Sequence, residues 1–376
     1  MPKIITQELF TINDIPDTTF RELGCDQTFY FSKLFLASFE EANSTIDYRY
    51  LVFMSREKPI AIAILQRVRV SLESASNNLP YYQKLAKSVQ CYLSNKKTHI
   101  LVCGNVFLSG EYGIWVKQGI DRRRIYDMLS RKLKTLQKTT KSSVCFLKDF
   151  NATQDTAASV VEKQHFQSFA VEPNMHVNVT WKDFEEYKSS LKSKYRIKVN
   201  KADSSSSALV QTSLTANEIR THKEKLKSLY LDVAEKAMFN TAFIDIETYA
   251  LLKERFPENV IISTYGKKGE IVGFSTAFLH DEQLSAHYVG LDYTVNKTDA
   301  IYPRMLNDYI RLGLLLGVKD INLGRTASEI KGTLGATPEH LRCYIKHRRT
   351  VANMFFKPFI RQIKMTEYKQ HNPFKI

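Results

Sequence analysis

The sequence predicts an α/β (α+β) protein of two similar halves, each a mixed β-sheet flanked by helices. The order hairpin, strand, helix, strand occurs twice, with the two copies about 200 residues apart. A chain of 376 residues is long enough for two domains. Its 43% apolar and 25% charged residues are ordinary globular values, which argues against a disordered or fibrous protein.

The first half contains the first copy of this order. Two β-rich runs joined by a short polar connection predict a hairpin, and apolar residues that recur every three or four positions predict helices. The predicted strands are at 50–54, 60–65, 98–107 and 143–150. The predicted helices are at 79–93 and 120–138.

The second half repeats the order after a seam near residues 150–180. Its predicted strands are at 260–265, 271–278, 284–291 and 320–323, and its helix is at 301–316. We therefore expect a first domain over 1–165, a second over 166–350 and a basic amphipathic tail over 351–376.

One helix is predicted over 180–202, between the two copies. Its apolar side chains form a single stripe, and Thr180 with Asp183 suits its N-terminal cap. The other face is basic, with Lys192, Lys194, Arg196, Lys198 and Lys201. The four serines at 204–207 are expected to end the helix in a flexible turn.

Charge and cysteine content limit the function classes. The net charge of +15 favours a polyanionic partner, such as nucleic acid, anionic lipid or an acidic carrier protein, and residues 342–376 hold nine basic residues and one acid. Five scattered cysteines without a CxxC pair predict neither a disulfide framework nor a metal site. Neither a signal peptide nor a spanning segment is apparent, which predicts a cytoplasmic protein.

Three segments of the second half carry a resemblance to a known family. They read SLKSKYRIKVNKA at 190–202, YVGLD at 288–292 and DINLGRTASEIKG at 320–332. With the duplicated element order, they resemble the bacterial Fem-like and acetyltransferase-6-like N-acyltransferases, which carry two GNAT-like domains in tandem. The resemblance implies direct transfer of an acyl group from an activated carrier to an amine, without a covalent enzyme intermediate.

The candidate catalytic residues are Glu329, Lys331 and Tyr288. Glu329 follows a predicted strand and a glycine turn, where a carboxylate could take the proton of an attacking ammonium. Lys331 matches the family's lysine, and with Arg325 it could stabilise an oxyanion or bind a phosphate or carboxylate. Tyr288 matches the family pattern and could protonate the leaving thiolate.

A structural interpretation of each residue stays open. Glu329 and Lys331 would then form a surface pair on a turn facing water, and Tyr288 would be a core tyrosine. His287 and Tyr288 are adjacent, so on a strand they face opposite sides and only one of them can face the cleft. His280 and His287 are taken as structural or surface residues, because their spacing suits no common zinc motif.

The segments at the position of the GNAT cofactor loop lack its glycine-rich pattern. They read NKTDAI at 296–301 and QGIDRRR at 118–124, whereas the usual turn holds the pyrophosphate through backbone amides. We therefore expect no permanently bound cofactor and weak binding of free coenzyme A. An acyl-carrier protein or an aminoacyl-tRNA would instead be held by side-chain charge, with Arg325, Arg196, Lys194 and Lys198 as the substrate-binding candidates.

The preferred function is N-acyl transfer from a thioester, on acyl-carrier protein or coenzyme A, to a primary amine of an amino acid or amino-lipid, in lipid biosynthesis. One alternative is an aminoacyl-tRNA-dependent peptidyltransferase of cell-wall synthesis. Another is a non-catalytic GNAT-like protein that binds membrane or nucleic acid. Neither a Gly-x-Ser-x-Gly elbow nor a phosphate-binding Walker loop is present to suggest other chemistry.

The basic, aromatic stretch at 349–365 is of the type that lies on anionic membranes. It predicts peripheral association with the inner membrane face. The alternative is a terminal helix packed on the core.

Overall fold

A computed structural model describes residues 3–71, 97–153, 156–236, 242–354 and 367–375. The strands are β1 (Ile4–Leu9), β2 (Asp47–Ser55), β3 (Lys58–Ser71), β4 (Lys97–Cys103), β5 (Ile114–Val116), β6 (Val144–Asn151), β7 (Gln167–Asn178), β8 (Val210–Ser213), β9 (Val260–Lys267), β10 (Glu270–His280), β11 (Gln283–Leu291), β12 (Asp320–Asn322) and β13 (Thr337–His347). The helices are α1 (Asp17–Leu23), α2 (Lys33–Ala42), α3 (Arg122–Thr139), α4 (Ala158–Lys163), α5 (Phe184–Ser190), α6 (Ser193–Ser205), α7 (Ala216–Thr221), α8 (Lys223–Ala234), α9 (Glu247–Arg255), α10 (Tyr293–Asp299), α11 (Ile301–Leu315) and α12 (Ser328–Gly332).

The chain forms two compact units. The first contains residues 1–171, 238–244 and 340–365, and the second contains 172–237, 245–339 and 366–376. The boundary at 171 lies close to the expected seam. The units differ from the expected domains at the other end, because β13 from residue 340 belongs to the first unit and the last residues belong to the second.

Both units have the same strand order. In the first it is β1-β2-β3-β4-β6-β13, and in the second it is β8-β9-β10-β11-β12-β7. The pairs β4–β6 and β11–β12 are parallel, and β6–β13 and β12–β7 are antiparallel. A helix joins each parallel pair, α3 in the first unit and α11 in the second. The predicted mixed sheets flanked by helices are therefore confirmed.

Each unit encloses its own hydrophobic core. In the first, α3 covers the sheet with Ile125, Leu129 and Leu133, which are fully buried, and the periodicity that predicted this helix is the stripe that packs. In the second, α11 packs on the sheet with Leu306 and Ile310. The predicted hairpins and strands are present in both units. The helix predicted at 79–93 lies outside the described residues.

The single helix predicted over 180–202 is wrong, because two helices, α5 and α6, occupy that range. Leu191, between them, is extended and bridges Phe374, and the Lys192 amide donates to the Pro373 carbonyl at 2.8 Å. The Lys192 amide, which a continuous helix would have bonded internally, is therefore bonded to the backbone near residue 373. Asp183, not Thr180, caps α5, since its side chain accepts from the Glu186 amide at 2.8 Å.

The predicted end of this helical region at the four serines, 204–207, is also corrected. Helix α6 continues through two of the four serines to Ser205, and Ser206 is buried rather than part of a flexible turn. Within the described ranges, no helix combines the length and apolar composition needed to cross a bilayer.

Candidate active site

A cleft opens in the second unit where β11 and β12 separate. The two strands pair only from Gln283 with Asp320 to Ser285 with Asn322. β12 ends there, whereas β11 continues to Leu291 paired with β10 alone. The chain after β12 turns away through Gly324, whose positive φ of 73° suits glycine. We call the opening between residues 286–291 and 323–327 the β11–β12 cleft.

Lys331 anchors the turn at one side of this cleft. The side chain is 3% exposed, and Nζ donates to the Gly324 carbonyl at 3.2 Å and to the Arg325 carbonyl at 2.6 Å. Burial lowers the pKa of Lys331 to about 7, against the opposing charge of Glu172. The interpretation of Lys331 as part of a turn facing water is wrong, because the lysine is an internal brace between α12 and the turn.

Glu329 lies on the other side of the same short helix. Two residues along an α-helix correspond to about 200° of rotation, so Glu329 points outward where Lys331 points inward. Its side chain is 61% exposed, and its Oε1 lies 3.6 Å from Nε2 of His371. The structure therefore does not bring Glu329 and Lys331 together, and the surface pair considered for them is wrong.

Tyr288 and Arg325 form the polar centre of the cleft. Tyr288 is half-buried on β11, and its ring meets that of Tyr230 edge to face at 5.2 Å between centroids. Burial raises the pKa of the Tyr288 hydroxyl well above its ordinary value, Tyr230 raises it further, and the Arg325 guanidinium partly opposes them. The Tyr288 hydroxyl is therefore protonated at neutral pH.

A β-bulge in β11 corrects the prediction that His287 and Tyr288 face opposite sides. The β10–β11 register shifts between Ser275 and Ala277, which pair with Val289 and Ala286. Two residues of β11 thus lie opposite one residue of β10. The His287 and Tyr288 rings are 4.4 Å apart between centroids, side by side.

Lys194, Arg196 and Lys198 lie on α6, away from the residues of the cleft. Lys194 and Lys198 are exposed and Arg196 is partly exposed. They remain candidates for a charged docking surface rather than for contact with the reacting group.

The segment in place of the GNAT cofactor loop is helical. Helix α10 fills 293–299, and the Asn296 side chain accepts from the Tyr302 amide at 2.8 Å. The next residue, Pro303, has no amide proton to donate. Two amides at the start of α11 are therefore closed to a phosphate.

The corresponding opening of the first unit is occupied by its own loop. β4 and β6 pair as far as Cys103 with Leu147. Beyond that point Lys148 donates to the Leu108 carbonyl and forms an ion pair with Asp149. The fully buried Asp149 carboxylate also accepts from the Gly110 amide at 3.2 Å. Loop 104–113 thus occupies the place that the β11–β12 cleft leaves open in the second unit.

Sequence reasoning missed three residues beside the cleft: Tyr230, Tyr249 and Glu172. Both tyrosines follow the apolar spacing of their helices and are buried at 2% and 1% exposure, so they resemble ordinary core residues in the sequence. Glu172 precedes the paired part of β7 and has no motif around it. Only the fold brings them to β11 and α12.

The two similar sheets, with one open cleft, define a tandem GNAT-fold protein. Residues 109–298, just over half of the chain, match the model of the FemAB-like family, described as peptidoglycan biosynthesis/recognition. The chain belongs to the FemAB-like family. A comparison with curated protein sequences finds no match.

Solved structures confirm the tandem GNAT fold. FemX has a TM-score of 0.51 at 11% identity, over 89% of this chain and 96% of FemX. A tandem GNAT protein from the clavulanic acid biosynthesis pathway has a TM-score of 0.55 at 9% identity, over 92% and 99%. The C-terminal domain of a putative lysylphosphatidylglycerol synthetase from Agrobacterium fabrum has a TM-score of 0.50 at 8% identity, over 90% and 93%. At such identities the likeness concerns the fold.

Proposed function

We propose that the chain is an N-acyltransferase that moves an acyl group from a thioester to a primary amine in the β11–β12 cleft. The observation that carries the proposal is that Tyr288 on β11 and Arg325 after β12 flank the point where the two strands separate. The Arg325 guanidinium acts on the Tyr288 hydroxyl by its charge and opposes the rise of the Tyr288 pKa. A developing oxyanion would be stabilised by the guanidinium. The leaving thiolate would take the Tyr288 proton.

Lys331 acts in this proposal as a positioning residue. Its two hydrogen bonds to the Gly324 and Arg325 carbonyls fix the backbone from which the Arg325 side chain extends. The Arg325 guanidinium is thus already in position when the substrate carbonyl binds. It can stabilise the developing negative charge without first having to reorient.

The donor we favour is an acyl-carrier protein. Asn296 and Pro303 close the amides that would hold the pyrophosphate of free coenzyme A. The exposed basic side chains of α6, among them Lys194 and Lys198, suit an acidic carrier. The acceptor is an amino acid or an amino-lipid, and the reaction belongs to lipid biosynthesis at the inner membrane face.

A second candidate is aminoacyl transfer from tRNA to a cell-wall peptide. The family's description as peptidoglycan biosynthesis/recognition favours it, and the net charge of +15 suits a nucleic acid as well as a carrier. The same cleft would serve, since an aminoacyl ester is also an activated carbonyl.

To test this, the full chain is incubated with one donor at a time: an acyl-carrier protein thioester, acyl-coenzyme A or aminoacyl-tRNA. Each donor is combined with amino acid, amino-lipid and peptide acceptors. Amide product is measured by mass spectrometry. We expect amide from the carrier thioester, and loss of it in Tyr288→Phe. Tyr302→Phe, which removes a hydroxyl elsewhere in the second unit, is the matched control. Amide only from aminoacyl-tRNA would support the second candidate, and no amide from any donor would mean a non-catalytic binding protein.

A further inference from the structure

The bulge in β11 places a histidine where the proposed reaction needs a base. Between the pairs Ser275–Val289 and Ala277–Ala286, Thr276 faces both His287 and Tyr288. A bulge re-aims side chains that a regular strand would send to opposite faces. The bulge begins two residues after Ser285, the last residue that β11 pairs with β12. His287 therefore stands beside Tyr288 at the opening of the β11–β12 cleft.

The ring of His287 is held in one orientation. Nδ1 is 2.7 Å from Oη of Tyr249, a residue of α9 that is 1% exposed. The ring also packs on that of Phe278 at 4.9 Å between centroids. When Nδ1–H donates to the Tyr249 hydroxyl, Nε2 carries the lone pair and can accept a proton.

The backbone of the bulge is fixed as well. The Thr276 hydroxyl donates to the Tyr288 carbonyl at 2.7 Å. Buried Thr276 and Tyr249 thus hold the two residues of the bulge from two different elements, β10 and α9. Such support from rigid elements is what a catalytic pair requires.

We infer that His287 is the general base of the proposed N-acyl transfer and Tyr288 its acid; the inference rests on the proposed function. A C–N bond forms between the amine and the acyl carbon, and the C–S bond breaks. One proton leaves the nitrogen for His287 Nε2, and one passes from the Tyr288 hydroxyl to the departing sulfur. His287 then returns its proton to Tyr288, so the pair regains its starting state.

This role differs from the one predicted for Glu329. The Glu329 carboxylate is 61% exposed and faces His371 on the outer side of α12. His287 lies on the stretch of β11 that borders the cleft, and its neighbours include Tyr249 from α9 and Tyr288. Tyr288 in turn contacts Tyr230 from α8 and feels the charge of the Arg325 guanidinium. The base and the acid are therefore adjacent residues of a single strand.

The experiment measures kcat/KM against pH for the full chain, with the acyl thioester of N-acetylcysteamine and a panel of primary amines. We expect the kcat/KM of His287→Gln to fall at least about a hundredfold. The variant should also lose the acid limb of the profile, which is the fall in kcat/KM at low pH that protonation of a histidine base causes. Tyr249→Phe should move that limb with a smaller loss of rate. Imidazole in the buffer should restore part of the rate of His287→Ala. Thermal melting checks that each variant is folded.

The matched controls are His280→Gln and Glu329→Gln. His280 is another half-buried histidine of the second unit, and its Nε2 lies 3.2 Å from the Ser285 hydroxyl; its variant should keep the full pH profile. A folded His287→Gln that keeps the acid limb, or loss of that limb in Glu329→Gln alone, would overturn the inference while the transferase function stands. Absence of transfer by the wild-type chain with every donor would overturn both.

Discussion

Lys331 is a lysine that the fold keeps away from water. Its folded-state pKa is lowered by burial to about 7, whereas that of the unfolded chain is about 10.4. The unfolded state therefore binds more protons between these values, so this group makes the protein more stable as pH rises from about 7 toward 10. We expect Lys331→Met to lose that rise, measured as the free energy of unfolding in urea at pH 7 and pH 9.5.

The control for this prediction is Lys319→Met, at a lysine that is 73% exposed and paired with Glu282 on the surface. It should leave the pH dependence of unfolding as in the wild type. Lys331→Met should also slow transfer, because the Arg325 carbonyl loses its partner. Two results together would contradict this role of Lys331. They are turnover of Lys331→Met within about threefold of the wild type, under 1 kcal/mol of barrier, and a pH dependence of unfolding like that of the wild type.

Gly290 permits close packing of α8 on β11. A Cβ there would lie 2.2 Å from Cε1 of Phe274 and 2.8 Å from the backbone carbon of Leu229. Because the backbone of α8 cannot yield as a side-chain end can, we expect Gly290→Ala to cost about 1–3 kcal/mol of unfolding free energy. Gly266→Ala in β9 is the control, since its Cβ would meet nothing closer than 3.7 Å. Equal melting temperatures for the two variants would contradict the prediction.

At the scale of elements, the regular part of the fold could be predicted because its signals are local. The hairpin β9–β10 and helix α11 follow from alternation and from a three-to-four spacing within a few turns of chain. The break at Leu191 could not be predicted, because its cause is Phe374, 183 positions further along the chain. Nor could the bulge at His287, since a bulge exists only in the register between two strands.

The candidate site was predictable in part for the same reason. The sequence after β12 predicted a polar turn, and in the structure the Lys331 side chain donates to the Arg325 carbonyl there. Which side of α12 carries Glu329 depends on where the short helix begins, and Ala327 starts it from the left-handed region at φ 49°. That conformation leaves no recognisable mark in the sequence.

The start of α11 leads to a prediction about free coenzyme A. The Tyr302 amide is already capped by Asn296 and Pro303 has no amide proton, so the pyrophosphate lacks the donors that a helix start usually offers. We expect weak binding by calorimetry, little changed in Asn296→Ala, which restores only one amide. Tight binding with the pyrophosphate at residues 296–301 would contradict the preference for a carrier-bound donor.

At the scale of the whole molecule, the tail has two parts. Residues 367–375 include Phe374, whose ring lies 5.0 Å from that of Trp181 in the second unit. Residues 350–354 are helical, with Val351 and Met354 68% and 73% exposed. The remaining residues of the predicted membrane stretch, 355–365, lie outside the described residues. Cutting the chain near Thr350 would therefore also remove a packed segment.

Membrane association is better tested in the full chain by Lys357→Gln, Arg361→Gln and Lys364→Gln together. Each basic residue near an anionic surface is worth about 1 kcal/mol, so co-sedimentation with anionic liposomes should fall by about two orders of magnitude. Lys138→Gln, Lys141→Gln and Lys163→Gln together give the same charge change elsewhere. Equal binding to neutral and anionic liposomes would contradict the prediction.

The closing strand of each sheet comes from a distant part of the chain. β13 follows most of the second unit in sequence, yet it pairs with β6 of the first. Tyr344 on β13 is fully buried in the first unit's core. A chain ending at Val171 would expose β6 as an edge strand and leave the place of Tyr344 empty. We expect this fragment to aggregate or to lack a cooperative melt. The same fragment joined through a Gly/Ser linker to residues 340–354 should melt cooperatively, as followed by circular dichroism, because the linker restores β13 beside β6. A sharp melt of residues 1–171 alone would show that β13 is dispensable for the first unit.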